Sequence, residues 1–202
     1  SYIESAYPLS DPIIVKARRR LLREGQNGRL IAQEPYVETT PRYKEFDGNY
    51  DVLGLPEHIG AMFKKLSETR LQWSTSEDPK TLLYSGMYQH QAEALQEFLI
   101  NKKDIIVATG TGSGKTECFM LPILGTLYDE ACTRPQSFAE TGVRVLILYP
   151  MNALVNDQLS RLRLLFGDPS LSDMFHQVGE NARHPLFGMY TGRTPYPGPR
   201  TA

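Results

Sequence analysis

The sequence predicts an α/β fold: an incomplete parallel sheet built around a phosphate-binding loop, preceded by a small, mainly helical segment. Three observations predict it. A short apolar run, Asp104-Ile105-Ile106-Val107-Ala108, feeds the glycine-rich turn Thr109-Gly110-Thr111-Gly112-Ser113-Gly114-Lys115-Thr116. An apolar, helix-compatible segment from Glu117 to Tyr128 follows, giving strand, loop and helix in P-loop order. A second apolar run, Val143 to Tyr149, leads into another helical pattern. Repeated strand–loop–helix units are the grammar of a doubly wound sheet, whose ligands gather at the carboxyl ends of the strands.

The loop is the chemical centre of this reading. Glycines let backbone N–H groups converge on a small anion, and the helix that follows adds its free N–H groups and dipole. Lys115 is then placed to reach the β- and γ-phosphates of a nucleotide, and the Thr116 hydroxyl to ligate Mg2+. The general pattern has Gly where this chain has Thr109, so the match is to a variant loop with Gly110 and Gly112 supplying flexibility. A glycine-rich hairpin that binds nothing is the competing reading; the order of strand, loop, lysine, hydroxyl and helix argues against it.

Composition sets the frame. At 202 residues and 41% hydrophobic, the chain has apolar matter for one medium domain, or for one small and one partial domain. No apolar run approaches the roughly 18 residues of a membrane span, and the start lacks a charged-then-apolar signal layout. A net charge of −1 gives no global basic bias toward nucleic acid, so any such contact is local. Cys118 and Cys132 have no ligand spacing and fit a reducing, cytoplasmic setting. The chain opens on Ser1, as expected of a processed chain or a piece of a longer one.

Taken in order, the elements begin with a helix from Asp11 to Glu24, capped by Asp11, opened by Pro12 and stopped by Gly25. Ile13, Ile14, Ala17, Leu21 and Leu22 share one side; Lys16, Arg18, Arg19, Arg20 and Arg23 fall largely on the other. That basic face meets either a nucleic-acid backbone or only solvent. Gln26 to Pro56 is rich in turn formers and reads as ordered loop with short strands. A helix after Pro56 carries Ile59, Met62, Phe63 and Leu66 as a core stripe. Trp73 closes this part, and the polar Ser74 to Lys80 reads as a linker, so the expected organisation is an accessory segment, 1–81, and a main domain, 82–202.

Next, Tyr88-Gln89-His90-Gln91 opens an amphipathic helix burying Leu95, Phe98 and Leu99. Gln91 is a candidate adenine reader, because an amide can both accept from and donate to the base. Asn101-Lys102-Lys103-Asp104 imitates a guanine-reading motif but precedes the loop, so it reads as a turn. Asp129 to Gly142 reads as a polar loop. After Pro150-Met151-Asn152 comes a helix with Leu154, Leu159, Leu162, Leu165 and Phe166, ended by Gly167. Asp168 to Arg183 reads as polar and aperiodic. A short strand around Phe187 to Tyr190 then enters Thr191-Gly192-Arg193-Thr194, suited to phosphate contacts at a strand end, before a proline-rich end.

In combination these stretches resemble the DEAD/DEAH-box helicases of superfamily 2. Tyr88-x-His90-Gln91 resembles their Q-type motif, Thr109 to Thr116 the first helicase motif, and Phe119 to Leu124 the helix after it. Tyr149-Pro150-Met151-Asn152-Ala153-Leu154-Val155-Asn156-Asp157-Gln158 looks like motif Ia, with Asn152 where many members carry Arg. Tyr190-Thr191-Gly192-Arg193-Thr194 resembles the strand-end motif that follows. The forms are most similar to the bacterial YprA-like branch and to helicases of phage-defence systems of the DISARM and Druantia kinds. The resemblance covers residues 82 to 194.

That resemblance implies an ATP-dependent DNA helicase or translocase, with this chain holding the first part of its first RecA-like domain. By matching positions, Tyr88 and Gln91 face adenine, Thr109 to Thr116 hold the phosphates and Mg2+, and Pro150, Met151, Asn152, Thr191, Gly192 and Arg193 grip one strand of nucleic acid. It also implies the remainder of the helicase as a partner, together with other defence-system subunits. No apolar strand ending in Asp-Glu follows the loop, so the chain alone is expected not to hydrolyse ATP at a useful rate. A different P-loop enzyme, such as a kinase or GTPase, lacks its base reader and metal ligands here. A non-catalytic nucleotide- or DNA-binding module of a larger complex stands as the alternative.

Overall fold

The structure, a computed structural model, describes residues 8–24, 42–70, 81–150, 152–178, 183–192 and Thr194. The expectations for Gly25, for 26–41, for Trp73 and the linker to Lys80, for Met151 and Arg193, and for the proline-rich end lie outside those residues. Two compact units divide the chain, Ser1–Arg42 and Tyr43–Ala202.

In the first unit, helix α1 (Pro12–Glu24) starts where its punctuation puts it. The Asp11 carboxylate accepts from the N–H groups of Ile13 at 2.7 Å and Ile14 at 3.2 Å, satisfying two donors that a helix start otherwise leaves free. Its expected apolar side is mostly exposed: Ile13 is 78% and Leu21 61% exposed, and Leu22 is partly covered.

Among the described residues the second unit holds a 3₁₀ turn at Tyr50–Val52 and the helices α2 (Glu57–Glu68), α3 (Gln89–Leu95), α4 (Glu117–Thr133), α5 (Pro135–Ala139), α6 (Asn152–Phe166) and α7 (Pro169–Val178). The predicted stripe of α2 is core: Ile59, Met62, Phe63 and Leu66 are buried, and Tyr50 stacks on Phe63 with ring centroids 5.2 Å apart. Each such burial is worth about 1.5–3 kcal/mol. The stripe of α2 lies in the same compact unit as the glycine-rich loop and the helices that follow it.

Helix α3 runs into a π-helical turn, Gln96–Ile100. The wider turn rotates the face that follows, so Leu95 and Leu99 are buried but Phe98, expected beside them, is 37% exposed. Lys102 takes a left-handed conformation, φ 54°, and Lys103 pairs with Glu97 at 2.6 Å, which makes 101–104 the turn expected of it. Helix α4 approaches the π turn closely because Gly125 has no side chain: a Cβ there would stand 2.8 Å from Leu99 Cδ1.

Two stretches expected to be irregular are helical. Helix α4 continues to Thr133, and α5 follows with Pro135 in its first turn; Phe138 supplies the reason, being buried and stacked on Phe175 at 5.6 Å. Helix α7 occupies 169–178, where Leu171, Met174 and Phe175 are buried and Val178 packs against the core. Asp168, 3% exposed, caps α7 by accepting from Ser170 N–H at 2.8 Å.

The expected parallel sheet is not formed among the described residues. Residues 102–110, 141–149 and 183–190 are neither helical nor laddered, and the isolated bridges, Glu45 with Tyr88 and Arg70 with Thr81, are antiparallel. A strand completes its backbone hydrogen bonds only on neighbours. The strand-like pattern survives in the burial: Ile105, Val107 and Thr109 are partly covered while Ile106, Ala108 and Gly110 are exposed, and Ile147 and Tyr149 are partly covered while Leu146, Leu148 and Pro150 are exposed. That is the two-residue alternation of an extended chain with one face partly covered.

Candidate nucleotide site

The loop from Thr109 to Thr116 enters α4 directly. Gly112 and Gly114 have φ of +74° and +72°, a region that glycine enters without a Cβ penalty. The backbone N–H groups of Gly112, Gly114, Lys115 and Thr116 donate to no acceptor among the described residues. They stand at the positive end of a helix, where oriented donors and the helix dipole both favour an anion. A Cβ on Gly112 would meet nothing within 4 Å, so the loop is open on that side.

Within the loop, Thr109 Oγ1 and Ser113 Oγ are 2.6 Å apart, and the Lys115 ammonium donates to the carbonyls of Thr109 and Gly110, each at 2.7 Å. The cation is thus held by carbonyls of its own loop. A phosphate competing for it would replace two neutral acceptors with charged ones, a stronger class of hydrogen bond. Behind the loop, burial and then the charge of Glu117 push the Cys118 thiol above its usual range, so it stays a packing thiol. Cys118 and Cys132 are both unpaired.

Three side chains from elsewhere in the unit hold the loop. Gln91, 7% exposed, accepts from Tyr88 N–H at 2.8 Å and donates to the Gly114 carbonyl at 3.0 Å, so both ends of the amide engage backbone. His90 Nε2 lies 2.8 Å from the Ser113 carbonyl. The Tyr43 hydroxyl donates to the Thr111 carbonyl at 3.1 Å, and a Cβ on Gly110 would come within 2.5 Å of that hydroxyl. Tyr43, Tyr88 and His90 form an aromatic cluster, with Tyr88 and His90 stacked at 5.7 Å and Tyr43 at 5.6 Å from Tyr88.

The structure therefore brings together Tyr88, Gln91 and the loop from Thr109 to Thr116. Of the expected nucleic-acid grip, Pro150 and Gly192 are exposed, and no hydrogen bond among the described residues joins either of them to the loop. Asn152 opens α6. Thr191 and Thr194 close a tight turn through Thr191 N–H to Thr194 Oγ1 at 2.8 Å and Thr194 N–H to the Thr191 carbonyl at 2.9 Å. Sequence reasoning missed Tyr43 and gave His90 no role beyond its place in the Tyr88-x-His90-Gln91 motif. Tyr43 lies 68 residues from its partner, and only the fold brings the two together. Among the described residues, no group of three or more His, Cys, Asp or Glu is placed to hold a metal ion.

Residues 88–186 match the profile of the DEAD/DEAH box helicases. This span belongs to that family. DEAD/DEAH box membership implies a RecA-like α/β fold, whose sheet is not formed among the described residues, and the motif resemblance holds. The chain is 45% identical over 203 aligned residues to Druantia protein DruE of Escherichia coli (strain UMEA 4076-1), covering 100% of this chain and 10% of that protein. It is 38% identical over 78 residues to the uncharacterized ATP-dependent helicase MJ1574 of Methanocaldococcus jannaschii, covering 39% of this chain and 10% of the relative. It is 37% identical over 76 residues to the uncharacterized ATP-dependent helicase YprA of Bacillus subtilis (strain 168), covering 38% and 9%. The chain thus spans 9 to 10% of the length of these curated relatives. No solved structure matches it.

Proposed function

We propose that this chain carries the ATP-binding loop and part of the nucleic-acid grip of a DNA helicase or translocase acting in bacterial anti-phage defence. The observation that supports the site most directly is the run of unengaged N–H groups at Gly112, Gly114, Lys115 and Thr116, beside the Lys115 ammonium and ahead of α4. The defence role rests on the whole-chain likeness to a Druantia protein.

In this reading residues 82–202 are the first part of a RecA-like domain, with 1–81 as an accessory segment, and the rest of the helicase supplies the strands that complete the sheet. Thr109 to Thr116 hold the phosphates, with Lys115 leaving the two loop carbonyls to do so. Tyr88 and Gln91 lie toward the adenine. The Thr116 hydroxyl, on the residue that immediately precedes α4, would hold Mg2+, which when bound neutralises phosphate charge. Pro150, Met151, Asn152, Thr191, Gly192 and Arg193 contact one strand through phosphate and sugar, with little sequence preference. Other defence-system subunits are partners, in the cytoplasm. No helix among the described residues is long and apolar enough to cross a membrane. The 202 residues alone do not turn over ATP.

The test is ATP turnover by the full-length protein, with single-stranded DNA, with single-stranded RNA and with neither, beside the Lys115→Ala variant. The expected result is turnover stimulated by DNA and lost in the variant. Stimulation by RNA alone would reverse the choice of substrate. No turnover in either protein would favour a non-catalytic nucleotide- or DNA-binding module.

A further inference from the structure

A side-chain link joins the phosphate loop to the helix that starts at the expected strand grip. Glu117 is the first residue of α4, and its Oε1 accepts from Arg161 Nη1 of α6 at 3.1 Å. Its Oε2 faces the loop: a Cβ on Gly114 would stand 3.1 Å from it, and the oxygen is buried with no hydrogen-bond partner. A carboxylate beside an anion site repels the anion unless a cation holds it. Here Arg161 is that cation, and it stands nine residues along α6 from Asn152, about 13 Å at the helical rise of about 1.5 Å per residue.

We propose that Glu117 and Arg161 are a positioning pair that couples nucleotide in the loop to nucleic acid at the start of α6, without touching either ligand. The proposal rests on the helicase reading above. The charge of phosphate in the loop repels the Glu117 carboxylate from the Gly114 side. The carboxylate transmits that displacement to Arg161, and so to the rigid helix whose first turn carries Asn152. In the other direction, nucleic acid that shifts α6 moves Arg161 and with it the charge beside the loop. Coupling of this kind is reciprocal. A purely structural pair would alter nucleotide affinity equally whether or not nucleic acid is present; a coupling pair alters the ratio.

The experiment measures binding of the fluorescent nucleotide mant-ADP to the full-length protein, with and without a single-stranded DNA oligonucleotide. The ratio of the two dissociation constants is the coupling factor, about 5- to 150-fold in coupled systems. Glu117→Gln and Arg161→Gln are each expected to bring the factor about threefold closer to one, in keeping with a partly exposed ion pair. The double variant should lose no more than either single one, and Arg161→Lys should keep most of the factor. Unchanged factors in both single variants, or losses that multiply in the double variant, overturn the proposal. If Glu117→Gln does not fold, the two Arg161 variants decide. A wild-type factor of one with mant-ADP bound also overturns the coupling while leaving the nucleotide site intact. Absence of mant-ADP binding by the wild type would instead remove the reading beneath it, and the proposal with it.

Discussion

Helices α2 and α4 and the segments 104–108 and 143–149 are all written in apolar residues, yet they end in opposite environments. Phe63 in α2 and Leu124 in α4 are fully buried, whereas Ile106 is 97%, Leu146 76% and Leu148 80% exposed. Chemistry of the side chains does not separate the two groups; backbone accounting does. A helix closes its hydrogen bonds internally and needs a neighbour on one stripe only. A strand of a parallel sheet needs partners at both edges and a layer on each face. The helical side of this unit can therefore form from local sequence, while the strand-like segments wait on partners.

The comparison is broken most readily by stability. Phe63→Ala should cost about 3–5 kcal/mol, through lost transfer energy and the cavity left beside Tyr50, while Leu148→Ala in the same chain should change stability by no more than about 0.5 kcal/mol. Urea unfolding of the 202-residue chain reads both. Equal losses would mean that 143–149 is buried in solution and that the contrast is false. The same two substitutions in the full-length protein sharpen it: there Leu148→Ala should rise toward the roughly 2–5 kcal/mol of a buried leucine if the segment becomes a central strand.

A smaller effect tests the helical side. Asp168→Ala should destabilise by about 0.5–2 kcal/mol, the usual cost of a lost N-cap, and thermal unfolding with far-ultraviolet circular dichroism would show it. No change would mean that α7 is held by Leu171, Met174 and Phe175 alone. This helix was legible and was passed over: Asp168-Pro169 is a cap followed by a first-turn proline, and Leu171, Met174, Phe175 and Val178 recur at helical spacing. The polar residues between them obscured the period.

The site was legible to a similar, uneven degree. Loop, cation, hydroxyl and following helix are contiguous, so their order alone identified them, and the helix starts at Asp11 and after Pro56 followed from capping chemistry. The residues that brace the loop are a different case. Tyr43 and His90 act through single hydrogen bonds to backbone carbonyls, and any tyrosine or histidine could do so. The antiparallel bridge at Glu45 and Tyr88 sets Tyr43 beside Tyr88 and His90, next to the loop. The sheet could be expected from the sequence, but its formation depends on strands that these residues do not pair among themselves.

The least of the expected effects lies where the two regions meet. Arg144, at the start of the segment 143–149, is clasped to the helical side: Nε donates to Glu130 Oε2 at 3.0 Å, Nη2 to the Ser137 carbonyl at 2.6 Å, and its guanidinium carbon lies 5.4 Å from the Phe138 ring centroid. Burial pushes the Glu130 carboxyl up, but hydrogen bonds from Ser137 and Arg144 and the charges of Arg144 and Arg134 outweigh it, so it is held below its ordinary value of 4.5. A carboxyl depressed in the folded state adds stability that is present above its ordinary value and is lost as pH falls through the folded one. Glu130→Gln should therefore cost about 1 kcal/mol at pH 7 and progressively less below pH 4.5. Urea unfolding of both proteins at pH 7 and pH 3 reads the difference. A cost that persists at pH 3 would show that the carboxylate charge is not what holds the clasp. The Ser137 carbonyl and the Phe138 face would then anchor Arg144, and with it the first turn of contact between the helices and the strand-like chain.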